Sequence, residues 1–258
     1  MKEAGPQDAV TAHFDAYAVG NRWGELYNPC NPDSYSFLAR RRKAVELLGD
    51  LRGKRILDIG CGSGALVEPL LAADVRYDGV DIAPTMVAEA TRHIRELGAE
   101  DRFHVHLGSG LSIPFDADQF DAVVGMGYLE YFDEPEPVIR EAMRVVKPGG
   151  RLIFTIPQKV SFDLWAVRAT SALRGLARQI TGQSARTIGR NRYTPAEFKA
   201  LFEQAGCSVV DERFYNKLLL PYPFTRFVPG LANRVASIVE DTPGFEFFAT
   251  GYILACEK

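Results

Sequence analysis

Arg55-Ile56-Leu57-Asp58-Ile59-Gly60-Cys61-Gly62-Ser63-Gly64 decides the fold. Ile56, Leu57 and Ile59 form the apolar run of a strand covered on both faces. Glycines at 60, 62 and 64 then let the chain turn sharply and bring backbone close to a ligand. Gly60, Gly62 and Ala65 also fit G-x-G-x-x-G/A, a dinucleotide fingerprint, so spacing alone leaves the cofactor open. Charge narrows the choice. Asp58, two residues before the first glycine, would repel a pyrophosphate and suits a ligand with an ammonium or sulfonium centre. One helix later, Arg76 to Val80 reads as the next strand, ending in Asp81, whose carboxylate can accept both hydroxyls of a ribose. The simplest ligand is a phosphate-free nucleoside carrying a positive centre.

Strands and helices alternate outward from this stretch in the manner of a parallel sheet. Helices are expected at 36–48, 65–72, 84–97 and 135–146, and strands at 55–59, 76–80, 103–107, 120–126 and 151–156. Lys147-Pro148-Gly149-Gly150 reads as a structural turn between helix and strand. Thr194 caps a helix that begins at Pro195 and ends near Gly206. A strand over 207–214 follows, and the aromatic, β-prone stretch 245–256 is expected as a further strand.

Bulk properties fit one soluble enzyme domain: 258 residues, 47% hydrophobic, suffice for a sizeable core. A net charge of -3 gives no case for nucleic acid as a partner. Met1 to Asp8 lacks the apolar core of a secretory signal, and no apolar run approaches a membrane span, so a cytoplasmic location is expected. Cys30, Cys61, Cys207 and Cys256 form no C-x-x-C pair, which favours reduced thiols over disulfides or a metal site.

In order and spacing, Asp58 to Gly64, Val80-Asp81-Ile82-Ala83-Pro84-Thr85-Met86, Ile113-Pro114-Phe115 leading to Gln119-Phe120-Asp121, Tyr128-Leu129-Glu130-Tyr131 and Lys147 to Leu152 resemble the class I S-adenosylmethionine-dependent methyltransferases of small-molecule type. The resemblance runs from about Arg55 to Pro157 and weakens beyond. It implies an α/β, doubly wound, Rossmann-like sheet of seven mostly parallel strands, with an antiparallel C-terminal strand and a helical insertion after the fifth. One domain is implied over 1–258: an N-terminal helical lid (1–50), a cofactor-binding core (51–157), the insertion (158–193) and the C-terminal part of the sheet (194–258).

S-adenosyl-L-methionine is the implied cofactor, held by Asp58, Gly60, Cys61, Gly62, Asp81 and Ile82. Met86 with Ile82 would cover one face of adenine, Ser109, Gly110 and Leu111 would meet the base, and Met126 lies where the methyl group faces the acceptor. Ser109 departs from the aspartate many members carry and accepts without charge assistance. Tyr17 is expected in the lid and Arg41 or Arg42 at the methionine carboxylate. Tyr131, Glu130 and His13 are the candidate bases. Tyr131 replaces a histidine found in related O-methyltransferases, and Gly127 replaces an acid with which some relatives hold a metal, so no metal is assigned.

Between Leu164 and Ala196 there is no Asp or Glu, while Arg168, Arg174, Arg178, Arg186, Arg190 and Arg192 are basic. Such a stretch binds a phosphate-bearing acceptor, lies on an anionic membrane through 159–192, or simply caps the domain. The apolar loop from Leu218 to Pro229 would add a greasy wall. The expected activity is methyl transfer to a small or lipophilic molecule, with oxygen favoured over nitrogen or carbon. A non-catalytic cofactor-binding module is the alternative of another class, and RNA methylation ranks last.

Overall fold

Seven strands make one sheet in the order β3-β2-β1-β4-β5-β7-β6. They are β1 (Lys54–Ile59), β2 (Val75–Asp81), β3 (Phe103–Leu107), β4 (Phe120–Met126), β5 (Val146–Pro157), β6 (Ser208–Lys217) and β7 (Ala249–Glu257). The computed structural model describes residues 6–18, 22–31, 33–169, 190–221 and 224–258. β1 to β5 run parallel, and β7 enters antiparallel to both β5 and β6, with Leu152 opposite Cys256 and Phe214 opposite Tyr252. The expected α/β doubly wound architecture is therefore observed.

Both faces of the central strands are covered, which is why their sequences are continuously apolar rather than alternating. Ile56 points into a cluster with Leu47 and Leu48 of α3 (Tyr35–Leu48), whereas its neighbour Leu57 points into the opposite cluster with Ile139 and Val145 of α6 (Glu136–Val145). Fully burying each such side chain is worth about 1.5–3 kcal/mol. α6 presents Val138, Ile139, Ala142 and Val145 on one face, the spacing of a helix packed on one side. α8 (Pro195–Gln204) begins in a reciprocal capping box: Glu197 N–H donates to Thr194 Oγ1 at 3.2 Å, and Thr194 N–H to Glu197 Oε2 at 2.8 Å.

Three expectations change. The helix expected over 65–72 is only α4 (Val67–Leu70), because Pro69 has no N–H to give the Ala65 carbonyl. Lys147 to Gly150 is not a free turn but a bulge inside β5, where pairing jumps from Phe120–Val146 to Ala122–Arg151. The stretch from Leu218 to Pro229, expected as a loop, holds α9 (Phe224–Phe227), and α10 (Pro229–Val239) follows; Ala232 and Ala236 bury one face of α10, an i,i+4 pattern behind a helix-starting proline.

α5 (Pro84–Glu96) follows β2, and α1 (Pro6–Ala18) docks against it: the Asp15 carboxylate accepts from the N–H and hydroxyl of Thr85 in the first turn of α5, which supplies the cap that Ala83 lacks. α2 (Arg22–Glu25) continues this N-terminal layer over the C-terminal ends of the strands. Of the insertion, α7 (Phe162–Ala169) is described; Leu173, Arg174, Leu176, Arg178, Ile180 and Arg186 lie outside the described residues. Among the described residues no helix is long and apolar enough to cross a membrane.

Candidate active site

The chain order reverses between β1 and β4, and the crevice outside the carboxyl ends of those strands is where open α/β sheets bind ligands. A cavity opens there. It is lined by Gly60 and Gly62 after β1, Asp81 and Ile82 after β2, and Met126 to Tyr128 after β4, roofed by Phe14 of α1 and Trp23 of α2. Gly60 and Gly62 hold φ of +71° and +54°, the left-handed region open to glycine without strain. A β-carbon on Gly62 would stand 2.7 Å from Trp23 Nε1, so glycine also makes room for the roof.

Asp81 is held by the turn it faces. One carboxylate oxygen accepts from Gly62 N–H and the other from Ala83 N–H, each at 2.9 Å. Burial raises its pKa against the pull of these N–H groups. Its remaining lone pairs can take ribose hydroxyls.

Asp58 sits differently from its expected place at the ligand. It is 1% exposed and lies beneath the turn, where Oδ2 accepts from the Tyr77 hydroxyl at 3.0 Å and Oδ1 has no partner. Burial pushes its carboxyl up to about 7, with the Tyr77 bond opposing. Cys61 is likewise buried, its sulfur close to Gly79, and Met86 packs with Ala18 and Ala83 where α1 meets α5.

Gly110 reaches the site through Tyr128: its N–H donates to the Tyr128 hydroxyl at 2.9 Å, and the Tyr128 ring fills the space a side chain on Gly60 would need. Ser109 turns its hydroxyl to the Leu111 N–H at 3.2 Å, while Leu111 is exposed at the edge. Tyr17 lies in α1, its side chain outside the described residues. Arg41 faces a separate groove on the outer side of the glycine turn, where it donates to the Ala65 carbonyl at 3.4 Å.

Arg40, which sequence reading passed over, faces inward instead. Its Nη2 donates to the Tyr27 hydroxyl at 2.8 Å, its Nη1 occupies the space over Gly127, and its Nε is shielded from solvent with no partner. A buried, unpartnered donor costs about 1–3 kcal/mol. An anionic ligand group at the Gly127 turn would meet Nη1 of the same guanidinium. The Asp81 carboxylate, the Arg40 guanidinium at Gly127 and the glycine cradle together fit a zwitterionic nucleoside such as S-adenosylmethionine.

A second cavity adjoins the first. The two share Trp23, Gly127 and Tyr131, and the second continues past Phe37, Arg40, Glu130 and Arg190 to Tyr215, Asn216 and Thr250. Glu130 is buried, 4% exposed, on the short 3₁₀ turn Leu129–Tyr131. Burial raises its pKa, and Arg190, Arg40 and Arg192 pull the other way. Gly127 N–H donates to Thr155 Oγ1 at 2.8 Å, and Asn191 N–H to the Glu130 carbonyl at 2.7 Å, so both sides of this turn are fixed.

Tyr131 is held between the Phe14 ring, 5.3 Å away edge-on, and Arg190, 5.7 Å from its centroid. Burial, then Glu130, pushes its phenol up to about 12, which keeps it protonated near neutral pH. His13 packs edge-on against Phe14 at 5.4 Å; burial and then Arg190 lower its pKa. It lies outside the lining of both cavities.

A family model described as a methyltransferase domain matches residues 57–154. The ubiquinone biosynthesis O-methyltransferase of Xanthomonas axonopodis pv. citri is 30% identical over 200 residues, 75% of this chain and 79% of that protein. The enzyme of the same name from Alkalilimnicola ehrlichii is 32% identical over 148 residues, 57% of this chain and 59% of its own length. Among solved structures, magnesium protoporphyrin IX methyltransferase from Synechocystis PCC 6803 with bound SAH superposes with a TM-score of 0.69 at 17% identity, covering 98% of this chain and 99% of that one. The [4+2]-cyclase SpnF shares the fold at a TM-score of 0.59 and 22% identity, over 84% of this chain and 81% of its own. Fold alone therefore does not choose the chemistry.

Proposed function

Since this chain belongs to the class I S-adenosylmethionine-dependent methyltransferases, we propose that it methylates an oxygen of a small lipophilic acceptor held in the second cavity, with Glu130 taking the acceptor's proton. The junction of the two cavities at Trp23, Gly127 and Tyr131 carries the reading, because it sets an acceptor site against a cofactor site with a buried carboxylate on the acceptor's side. On this reading Asp81 holds the ribose, the Gly60–Gly62 turn lies against the nucleoside, and Arg40 meets the methionine carboxylate in place of Arg41.

S-adenosylmethionine supplies a methyl group on a sulfonium that is already a good leaving group. The protein's share is placement and proton removal. Phe14, Trp23 and Tyr131 exclude water at the junction, and Gly127, pinned to Thr155, fixes the floor. A neutral hydroxyl must lose its proton as the new O–C bond forms. A carboxylate whose pKa is raised by burial is a stronger base than a solvated one, which suits Glu130 and not Tyr131. That an oxygen acceptor needs such a base, while a neutral amine does not, favours oxygen. The names of the curated relatives point the same way.

Contact with an anionic membrane through 159–192 belongs to the same proposal. Trp165 is 63% exposed on α7 and Arg168 is exposed one turn on, an apolar and basic pairing suited to an interface.

Incubation of the protein with methyl-labelled S-adenosylmethionine and a cell extract should label an organic-soluble small molecule, with mass spectrometry locating the methyl on oxygen. Label confined to RNA or protein would refute the reading. Label on nitrogen or carbon would remove the role given to Glu130.

A further inference from the structure

Cations outnumber acids around the second cavity. Arg40 and Arg190 line it beside Glu130, and Arg192 and Arg168 stand near enough for Arg190 and Arg168 both to act on Arg192. The chain as a whole is acidic, so this is local concentration rather than bulk composition.

The backbone holds these arginines in place. Asn191 between two of them is pinned by its N–H to the Glu130 carbonyl and by its Nδ2 to the Phe132 carbonyl, both at 2.7 Å. Arg192 Nη1 donates to the Gln158 carbonyl at 3.0 Å, and residues 158 and 193 pair as a parallel bridge that closes the base of the insertion. Arg190 is thereby set at the cavity rim, its side chain 50% exposed and its Nε 3.6 Å from Glu130 Oε1.

That pair is too long for a direct hydrogen bond, so the guanidinium, half exposed and lying over the Tyr131 ring, keeps donors free of the carboxylate. Crowding is felt by the group behind it: burial depresses Arg192, and Arg190 and Arg168 depress it further, with Glu130 opposing. Like charges held together by backbone bonds are relieved by a ligand of opposite charge.

We propose that the acceptor carries an oxyanion, a carboxylate or a phosphate, on an apolar body, and that Arg190, backed by Arg192, seats it at the rim of the second cavity while its hydroxyl faces Glu130. This rests on the reading of that cavity as the acceptor site. The guanidinium fork matches either oxyanion in two parallel hydrogen bonds. Asn216 and Thr250 close the far end of the cavity; Asn216 Nδ2 donates to Thr250 Oγ1 at 2.5 Å. Tyr131, Phe37 and Pro157 supply apolar wall for the body.

The test uses three catechol probes: 3,4-dihydroxybenzoate, its neutral methyl ester and 3,4-dihydroxybenzylphosphonate. Each is titrated into the full chain saturated with S-adenosylhomocysteine, with tryptophan fluorescence and calorimetry as readouts. At least one anionic probe should bind about tenfold or more tightly than the ester, as expected for a charge-assisted pair. Which anion wins distinguishes carboxylate from phosphate. In Arg190→Gln and in Arg190→Gln/Arg192→Gln the preference should fall to about twofold, while S-adenosylhomocysteine still binds and so reports an intact fold.

Equal binding of ester and anions, no binding of any probe to the cofactor-loaded protein, or a preference that survives the double replacement would each overturn the proposal. Failure to bind S-adenosylhomocysteine at all would instead overturn the methyltransferase reading beneath it.

Discussion

Arg40 occupies, with its Nη1, the space that a β-carbon on Gly127 would fill. One residue stands at the tip of β4 and the other on α3, so a glycine at that tip lets a cation from the N-terminal layer reach the junction of the two cavities. Gly127→Ala should therefore do two things. It strains a backbone at φ +64°, about 1–2 kcal/mol, and it displaces the guanidinium. Gly149→Ala is the control, with φ +73° and nothing within 4 Å of the added carbon. Both variants should lose stability in urea, and only Gly127→Ala should also lose affinity for S-adenosylhomocysteine.

Glu130→Gln should lower kcat by about 10² or more if this carboxylate takes the acceptor's proton. Because burial raises its pKa, activity falls as pH drops through a value above the ordinary glutamate range, and that acid limb should vanish in the variant. Tyr131→Phe should leave kcat nearly unchanged, since a phenol near 12 is no base at neutral pH. A large loss in Tyr131→Phe with a mild one in Glu130→Gln would reverse the assignment.

Asp81→Ala removes the carboxylate proposed for the ribose and two backbone bonds that shape the turn. S-adenosylhomocysteine should bind more weakly by about 1.5–3 kcal/mol, roughly ten- to hundredfold. Calorimetry decides this, and unchanged affinity would remove Asp81 from the site.

Asp58 should make stability depend on pH. In the folded chain its carboxyl stays protonated to about 7, whereas an unfolded aspartate ionises near pH 3.9. Between those values the folded state holds the extra proton, so the stability of the wild type relative to Asp58→Asn should fall as pH rises from about 4 to 7 and level off beyond. Urea denaturation of both proteins at pH 4.5, 6 and 8 measures it. A flat difference would mean that Asp58 is ionised throughout.

The strands, the glycine turn and Asp81 were legible because their signals are local. An apolar run, a glycine every second residue and an acid at a strand end each state their structure within ten residues, and Gly60, Gly62, Asp81, Ile82 and Met126 do line one cavity. α10 was not expected, although Pro229 and the spacing of Ala232 and Ala236 carry its signal, because the neighbouring aromatics read as an apolar loop.

What only tertiary structure decided is which way side chains face and what stands beside them. Arg40 and Arg41 are adjacent, but successive helical residues point about 100° apart, so one turns to Gly127 and the other to Ala65. Glu130 is buried among side chains from positions 40, 190 and 192, and no local pattern joins those. The sequence alone determined which strand tips and glycine turns meet at one crevice, since these are short-range matters. The surroundings of the second cavity came from distant segments packed on one crevice, because burial and charge in a fold are sums over neighbours in space, not along the chain.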